Sequence, residues 1–496
     1  MLGYLKRLVS TGLTYQAADI AAKCIALVTL RLYTRHVPPA GYGAYNSLLT
    51  LVILTSILLR VGVGEAFLRF YFTDEDQARR ERLARTAAAT VAWSSSVAAG
   101  IAVIFASPIS KLVLGFADPL LLDCAILGLW AFTNLEMAYA QLRVDERTRA
   151  YLFASMSNVA MTVTLTVILV VFAGQQARGL LLGNFGASAL VVLGLWWVLL
   201  RARRFSLRVH RGDLAAMLRF GLPTVPADAS VYALQVIDRL YLFRAYSHNA
   251  AGLYSVALQL ATVVFVAVRG FQYAWPPLAY SIQSDAEASR LYSLVGTYYA
   301  LATGAVVCAV ALLSRWIVRL LSAPVYFGAH RALPWLALGW ALYGLYPVLM
   351  VIAGRSGVMT RNFPATAMGL VANVVLLLVL VPNGGLGLGI AGAGIALCGA
   401  YLVMLAAMYT LTRSLFSVGF EWRRLGLLCS ILAGVAAGGE LLLPAAGVMG
   451  LVLRVAWLAL VPALLLATRF FTAKELTHAR ELWRAVRHTQ IGAGGA

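Results

Sequence analysis

Fourteen apolar runs dominate this sequence, and each is long enough to cross a bilayer as a helix. They lie near residues 11–32, 42–61, 86–106, 119–142, 150–173, 179–200, 217–242, 250–268, 290–313, 333–353, 364–381, 387–411, 425–443 and 448–468. Spanning about 30 Å of hydrocarbon takes roughly 20 helical residues. Without water to satisfy the backbone, a span must close its own hydrogen bonds, which leaves helices or closed barrels. These near-continuous runs, with few interior breakers, read as helices. A chain with 61% hydrophobic and 12% charged residues and a mean hydropathy of +0.81 has no route to a water-soluble fold of this length.

The order of the spans carries a second message. Gly12–Arg60 recurs without a gap as Gly221–Arg269: Asp19 returns as Asp228, Arg35 as Arg244, Gly43 and Tyr45 as Gly252 and Tyr254, and Arg60 as Arg269. Ten of 49 aligned positions are identical, and three of the ten are ionisable residues in apolar surroundings. Shared hydropathy does not preserve charges, so the pattern reads as an internal duplication, a common device for building a carrier site between two halves. The expected fold is an all-α integral membrane protein of about 14 transmembrane helices. Two six-helix lobes (1–200 and 217–411), joined by a basic linker (201–216), are related by a pseudo-twofold along the membrane normal. A helix pair (425–468) and an amphipathic tail (470–496) complete the chain.

The net charge of +20 is a question of placement. Most loop Lys and Arg fall on one side of the membrane, and the positive-inside rule makes that side cytoplasmic, with both termini on it. The densest run, Arg201 to Arg211, joins the sixth span to the seventh and suits anionic headgroups; nucleic acid is not expected as a partner. Asp19 and Lys23 in the first apolar run argue against a cleaved leader. The five cysteines all lie in spans without C-x-x-C spacing, so neither disulfide nor metal site is expected.

A charge in mid-membrane costs roughly 2.5–3.5 kcal/mol on insertion scales and must be paired or line water. Asp19 and Lys23 are four apart and share a helix face; Glu136, Asp228, Asp238-Arg239 and Arg454 also fall in spans. Arg60 alone could snorkel to the interface. Its duplicate Arg269 and the Asp19/Asp228 pair favour a shared central cavity. Arginines from both lobes would suit a diphosphate, because the guanidinium offers paired hydrogen bonds to phosphate oxygens. Pro223, Pro226, Pro276-Pro277 and Pro347 mark expected bends.

The segment Arg35-His36-Val37-Pro38-Pro39-Ala40-Gly41-Tyr42-Gly43-Ala44-Tyr45, followed by Gly62-Val63-Gly64-Glu65-Ala66-Phe67-Leu68-Arg69-Phe70-Tyr71, resembles the amino-terminal signature of the O-antigen type polysaccharide flippases. These belong to the multidrug/oligosaccharidyl-lipid/polysaccharide exporter superfamily. Leu58-Leu59-Arg60 with Gly64-Glu65-Ala66-Phe67 also resembles the second helix of the lipid II flippases, although the arginine-rich first helix of that branch is missing. The resemblance implies alternating access of two lobes, carrying an undecaprenyl-diphosphate-linked oligosaccharide from the cytoplasmic to the periplasmic leaflet of a bacterial inner membrane. Arg60 falls on the family's cavity arginine and Arg269 is its internal counterpart; Arg31, Lys23 and Arg239 are further substrate-binding candidates. Asp19 and Asp228 are candidates for a coupling Na+ or H+, and no other cofactor is expected. A polysaccharide polymerase and glycosyltransferases are possible neighbours. Sugar-choosing candidates are Tyr15, Gln16, Tyr232, Gln235, Gln272, Tyr273 and Trp275. Two alternatives stay open: a lipid II flippase or multidrug exporter of the same superfamily, and a membrane-embedded glycosyltransferase or polymerase using Asp74-Glu75-Asp76 to hold a metal.

Overall fold

The computed structural model describes residues 23–471 apart from 74–75, 202–205, 283, 356–361 and 415. Among the described residues every regular element is helical. The first lobe comprises α1 (23–36), α2 (Pro39–Arg60), α3 (Val63–Thr73), α4 (Gln77–Ile104), α5 (Ala106–Leu114), α6 (Pro119–Val144), α7 (Thr148–Val167) and α8 (Gln176–Arg201). The second contains α9 (Arg211–Gly221), α10 (Val225–Tyr241), α11 (His248–Ser281), α12 (Asp285–Leu321), α13 (Leu333–Tyr343), α14 (Tyr346–Arg355), α15 (Asn362–Leu380) and α16 (Gly389–Thr412). The pair at the carboxyl end is α17 (Trp422–Leu442) with α18 (Gly447–Trp457) and α19 (Leu460–Ala467).

Twelve helical stretches of the described residues are long and apolar enough to span a membrane. The two other expected spans have separate explanations. Most of the run at 11–32 lies outside the described residues. The run at 217–242 is divided: α9 ends at Gly221, a single 3-10 turn covers Leu222–Thr224, and α10 starts at Val225. Pro223 and Pro226 lack the N–H groups that would carry a helical ladder through this point, and the Thr224 hydroxyl bonds the Gly221 carbonyl at 2.8 Å. Pro347 likewise marks the break between α13 and α14. Pro276 and Pro277 do not interrupt α11, which runs on to Ser281.

The two copies of the repeat pack against each other. The crossing of α2 with α11 is at Gly43 and Gly252, equivalent positions of the repeat. A Cβ on Gly43 would stand 2.7 Å from the His248 carbonyl, and one on Gly252 would run into the Pro39 carbonyl. Two backbones approach this closely only where neither residue has a side chain. Around the crossing, Leu48 and Val52 of α2 pack in one buried cluster with Val256, Ala257 and Ala261 of α11. Three hydrogen bonds join the lobes at the same end: Arg31 to the Leu320 carbonyl at 3.0 Å, the Ala323 amide to Thr34 Oγ1 at 3.1 Å and the Tyr326 hydroxyl to the Val37 carbonyl at 2.8 Å.

At the end bearing the linker, α9 packs on the first lobe although it follows the linker in sequence. Met217 is buried among Val63, Phe67 and Leu83, Phe220 meets Phe70 edge to face, and Arg82 pairs with the buried Asp213 at 2.7 Å. Gly62, at φ +68°, backs directly onto the Gly221 backbone.

The carboxyl-terminal pair is anchored on α12 by charge as well as by apolar contact. Arg454 is fully buried; its guanidinium bonds Glu440 at 2.6 Å and the carbonyls of Leu312 and Pro444 at 3.0 and 3.2 Å. Arg315 reaches the other oxygen of Glu440. The intramembrane charge at Arg454 is thus a docking element, paired as its burial demands. The expected amphipathic tail lies outside the described residues from 472 onward.

Candidate functional site

Seventeen residues beyond the glycine crossing, roughly 26 Å along each helix, α2 reaches Arg60 and α11 reaches Arg269. The repeat therefore sets both arginines at the same depth. Both are half-buried, and the Nε of each is buried without a hydrogen-bond partner among the described residues. The same holds for Arg239 Nε.

Around Arg269 the structure assembles a cationic and aromatic surface. Its guanidinium lies 4.8 Å from the centre of the Phe265 ring, one helical turn earlier. The Lys23 ammonium, on α1 of the other lobe, lies 5.0 Å from the same ring. Phe265 in turn packs on Trp340 with centroids 4.4 Å apart. Ring faces attract cations, so one phenyl holds two positive groups that would otherwise repel. The Tyr343 side chain is within electrostatic range of Arg269 and within hydrogen-bond reach of Gln235 and Gln272.

Arg60 has different company. Asp228, exposed near the start of α10, lies within electrostatic range of both Arg60 and Glu65. Arg239 stands within range of Tyr42, Tyr45 and Tyr232, at the seam of α2 and α10. Arg31 is set apart, exposed at the opposite end on the Leu320 carbonyl. Asp19, Tyr15 and Gln16 lie outside the described residues, as does the side chain of Tyr273. Trp275 is fully buried against Tyr292 and belongs to the core.

Two features escaped sequence reasoning. Asp238 is fully buried, accepts the Tyr254 hydroxyl at 2.7 Å and adjoins the carboxamide of Asn373. Asp238 Oδ1 and Asn373 Oδ1 are both buried and unpartnered among the described residues. Asn373, in the middle of the apolar α15, was the available signal. The other is Tyr343, which nothing local distinguishes from the many aromatic residues of the chain. Of Asp74-Glu75-Asp76, Asp76 caps α4 by accepting the Ala78 amide at 2.9 Å, an ordinary N-cap. Among the described residues no group of three or more His, Cys, Asp or Glu is placed to hold a metal. A groove of about 740 Å³ between α6 and α8, lined by Asp118, Asp123 and Arg178, lies away from the duplicated arginines.

The profile of the family described as "Polysaccharide biosynthesis protein" matches residues 10–283. This covers the duplicated segment, both arginines and more than half of the chain. The chain belongs to that family. A relative of similar sequence is "Lsg locus putative protein 1" of Haemophilus influenzae, 21% identical over 277 residues; the match covers 54% of this chain and 64% of that protein. The fold of this polysaccharide biosynthesis family member resembles two solved transporters. One is the lipid II flippase MurJ in an inward closed conformation, with a TM-score of 0.65 and 12% identity over 93% of this chain and 98% of that one. The other is an inward-facing multidrug resistance MATE family transporter of the MOP superfamily, with a TM-score of 0.64 and 16% identity over 82% and 99%. The chain is therefore a multi-pass membrane protein with a flippase-type transporter fold.

Proposed function

We propose that this protein flips an undecaprenyl-diphosphate-linked oligosaccharide from the cytoplasmic to the periplasmic leaflet of the bacterial inner membrane, with both termini cytoplasmic. The observation that carries the reading is that Arg60 and Arg269, at equivalent places of the repeat, each have a buried Nε without a hydrogen-bond partner among the described residues. Guanidinium groups in largely apolar surroundings call for an anionic ligand, and a diphosphate matches their paired donors. The head group moves between the lobes while the polyprenyl tail stays in lipid. Rocking about the Gly43/Gly252 crossing exposes the arginines to one leaflet and then the other.

Transport against a gradient needs coupling, to an ion or to the membrane potential. Beside the earlier candidates Asp19 and Asp228, the unpartnered oxygens of Asp238 and Asn373 fit a small cation or a proton. A polysaccharide polymerase and glycosyltransferases are the expected functional neighbours, since they would consume and supply the lipid-linked sugar. The fold likeness to MATE transporters keeps a multidrug exporter as the second reading, but the Arg60/Arg269 pair argues against cationic drugs by like-charge repulsion. A lipid II substrate is the nearer variant of the same chemistry.

The test is a leaflet-resolved translocation assay in proteoliposomes with a defined polyprenyl-diphosphate oligosaccharide. Transport by the unaltered chain that is lost in Arg269→Ala, with the variant still folded, is the expected result. No translocation by the unaltered chain, or chemical alteration of the lipid, would sink the reading.

A further inference from the structure

The arginine was duplicated, but its neighbours were not. At the same offset that pairs Arg60 with Arg269, Phe265 corresponds to Ser56, Gln235 to Ala26 and, three residues past the repeat, Gln272 to Val63. The second lobe therefore carries an aromatic ring and two carboxamides where the first carries small or aliphatic side chains. In the fold Phe265 lies against Arg269, the ring series Phe265–Trp340–Tyr343 leads on from it, and Gln235 and Gln272 stand beside Tyr343. We propose that the sugar nearest the diphosphate is read by Gln235, Gln272 and Tyr343, so that sugar recognition belongs to the second lobe. This inference rests on the lipid-linked sugar reading above.

The chemistry fits a carbohydrate. A carboxamide presents a donor and an acceptor side by side, which matches the adjacent hydroxyls of a pyranose. A tyrosine adds a flat apolar face with a polar tip. All three side chains are half-buried, as residues lining an accessible space should be. Tyr343 is also held from behind: Tyr346 stacks on it with centroids 6.3 Å apart, and Trp340 and the fully buried Tyr401 pack at 5.9 and 5.5 Å. A ring fixed in this way loses little freedom on binding. Its setting comes from the break that follows it. Pro347 has no N–H to close a helical turn onto the Tyr343 carbonyl. A side chain on Gly344 would collide with the Tyr299 hydroxyl, which instead bonds the Ala341 carbonyl at 2.9 Å. The Phe265–Trp340–Tyr343 series runs without a gap from the two cations to the carboxamides, so one ligand with phosphate and sugar ends could engage both.

The experiment compares equilibrium binding, to the purified full-length protein in detergent, of undecaprenyl diphosphate carrying one N-acetylhexosamine or one hexose and of bare undecaprenyl diphosphate. The unaltered chain should prefer a glycosylated lipid. Gln235→Ala with Gln272→Ala, and separately Tyr343→Phe, should lower that preference ratio by about three- to tenfold, the range for losing one or two ligand hydrogen bonds. Tyr343→Phe keeps the ring and so controls for folding. Arg269→Ala should weaken both lipids while keeping the ratio. A ratio unchanged in the carboxamide and tyrosine variants, or equal binding of all the lipids by the unaltered chain, would overturn the sugar assignment and leave the diphosphate reading standing. Failure of the unaltered chain to bind any of them would overturn both.

Discussion

Arg60 and Arg269 occupy equivalent places in a duplicated sequence, yet they meet different surroundings. Arg269 shares the Phe265 ring with Lys23 and lies within electrostatic range of Tyr343, which has two carboxamides beside it. Arg60 lies within electrostatic range of Asp228, a carboxylate that also feels Glu65. The glycines at the crossing have stayed alike, because each makes room for the other's backbone. Duplication supplied two copies of a cation at one depth. The geometry of the joint is shared while the surroundings of the two cations differ; on the function proposed above, one arm serves the ligand and the other charge balance.

Substitutions at the two arginines offer the strongest way to break this comparison. Arg269→Ala should reduce translocation by at least about tenfold, as expected for losing charge-assisted hydrogen bonds worth roughly 1.5–3 kcal/mol. Arg60→Ala should cost distinctly less. Equal losses in the proteoliposome assay would mean that the lobes have not specialised. The crossing should behave in the opposite, symmetric manner. Gly43→Ala and Gly252→Ala should each destabilise by about 1–3 kcal/mol, the usual cost of overpacking, which thermal unfolding in detergent would reveal. A silent substitution at either glycine would mean that the helices do not close there. A smaller effect is expected at Asp228→Asn: relieved of a carboxylate, Arg60 should raise affinity for bare polyprenyl diphosphate by about two- to threefold, in keeping with a partly screened pair. Weakened binding would show that Asp228 positions the arginine instead. Smallest of all, Asp74→Asn with Asp76→Asn should leave translocation nearly unchanged, since Asn caps a helix as well as Asp does. Loss of function there would favour an enzyme and make the arginine comparison irrelevant.

Sequence reasoning reached the fold because hydropathy is a physical constraint in lipid: a run such as residues 387–411 has little choice but to be a helix. The repeat offset makes Gly43 and Gly252 equivalent positions from the sequence alone. Other features depend on what packs against what. The break at Gly221–Thr224 was visible in its prolines, but the packing of α9 on the first lobe was not, because Met217 and Phe220 carry no label saying which lobe they serve. Prolines alone also misled at residues 276–277, where α11 continues. Among the charges, Lys23 and Arg269 were recognisable singly and their meeting at Phe265 was not. Tyr343 became a candidate only through its neighbours, and Asp238 had been noticed as a charge but not as one of two unpartnered buried oxygens with Asn373.

The Arg454 network has a consequence for how the chain is made. Arg315 and Glu440 both precede Arg454 in sequence, so at the ribosome this buried cation emerges after its partner and the helix that will hold it. An arginine that would pay a penalty entering lipid alone meets a waiting carboxylate and the carbonyls of Leu312 and Pro444. The closing hairpin is therefore written in an order that lets it insert as a unit, and a chain cut short after Glu440 would leave the synthesis machinery with a carboxylate that only Arg315 could cover.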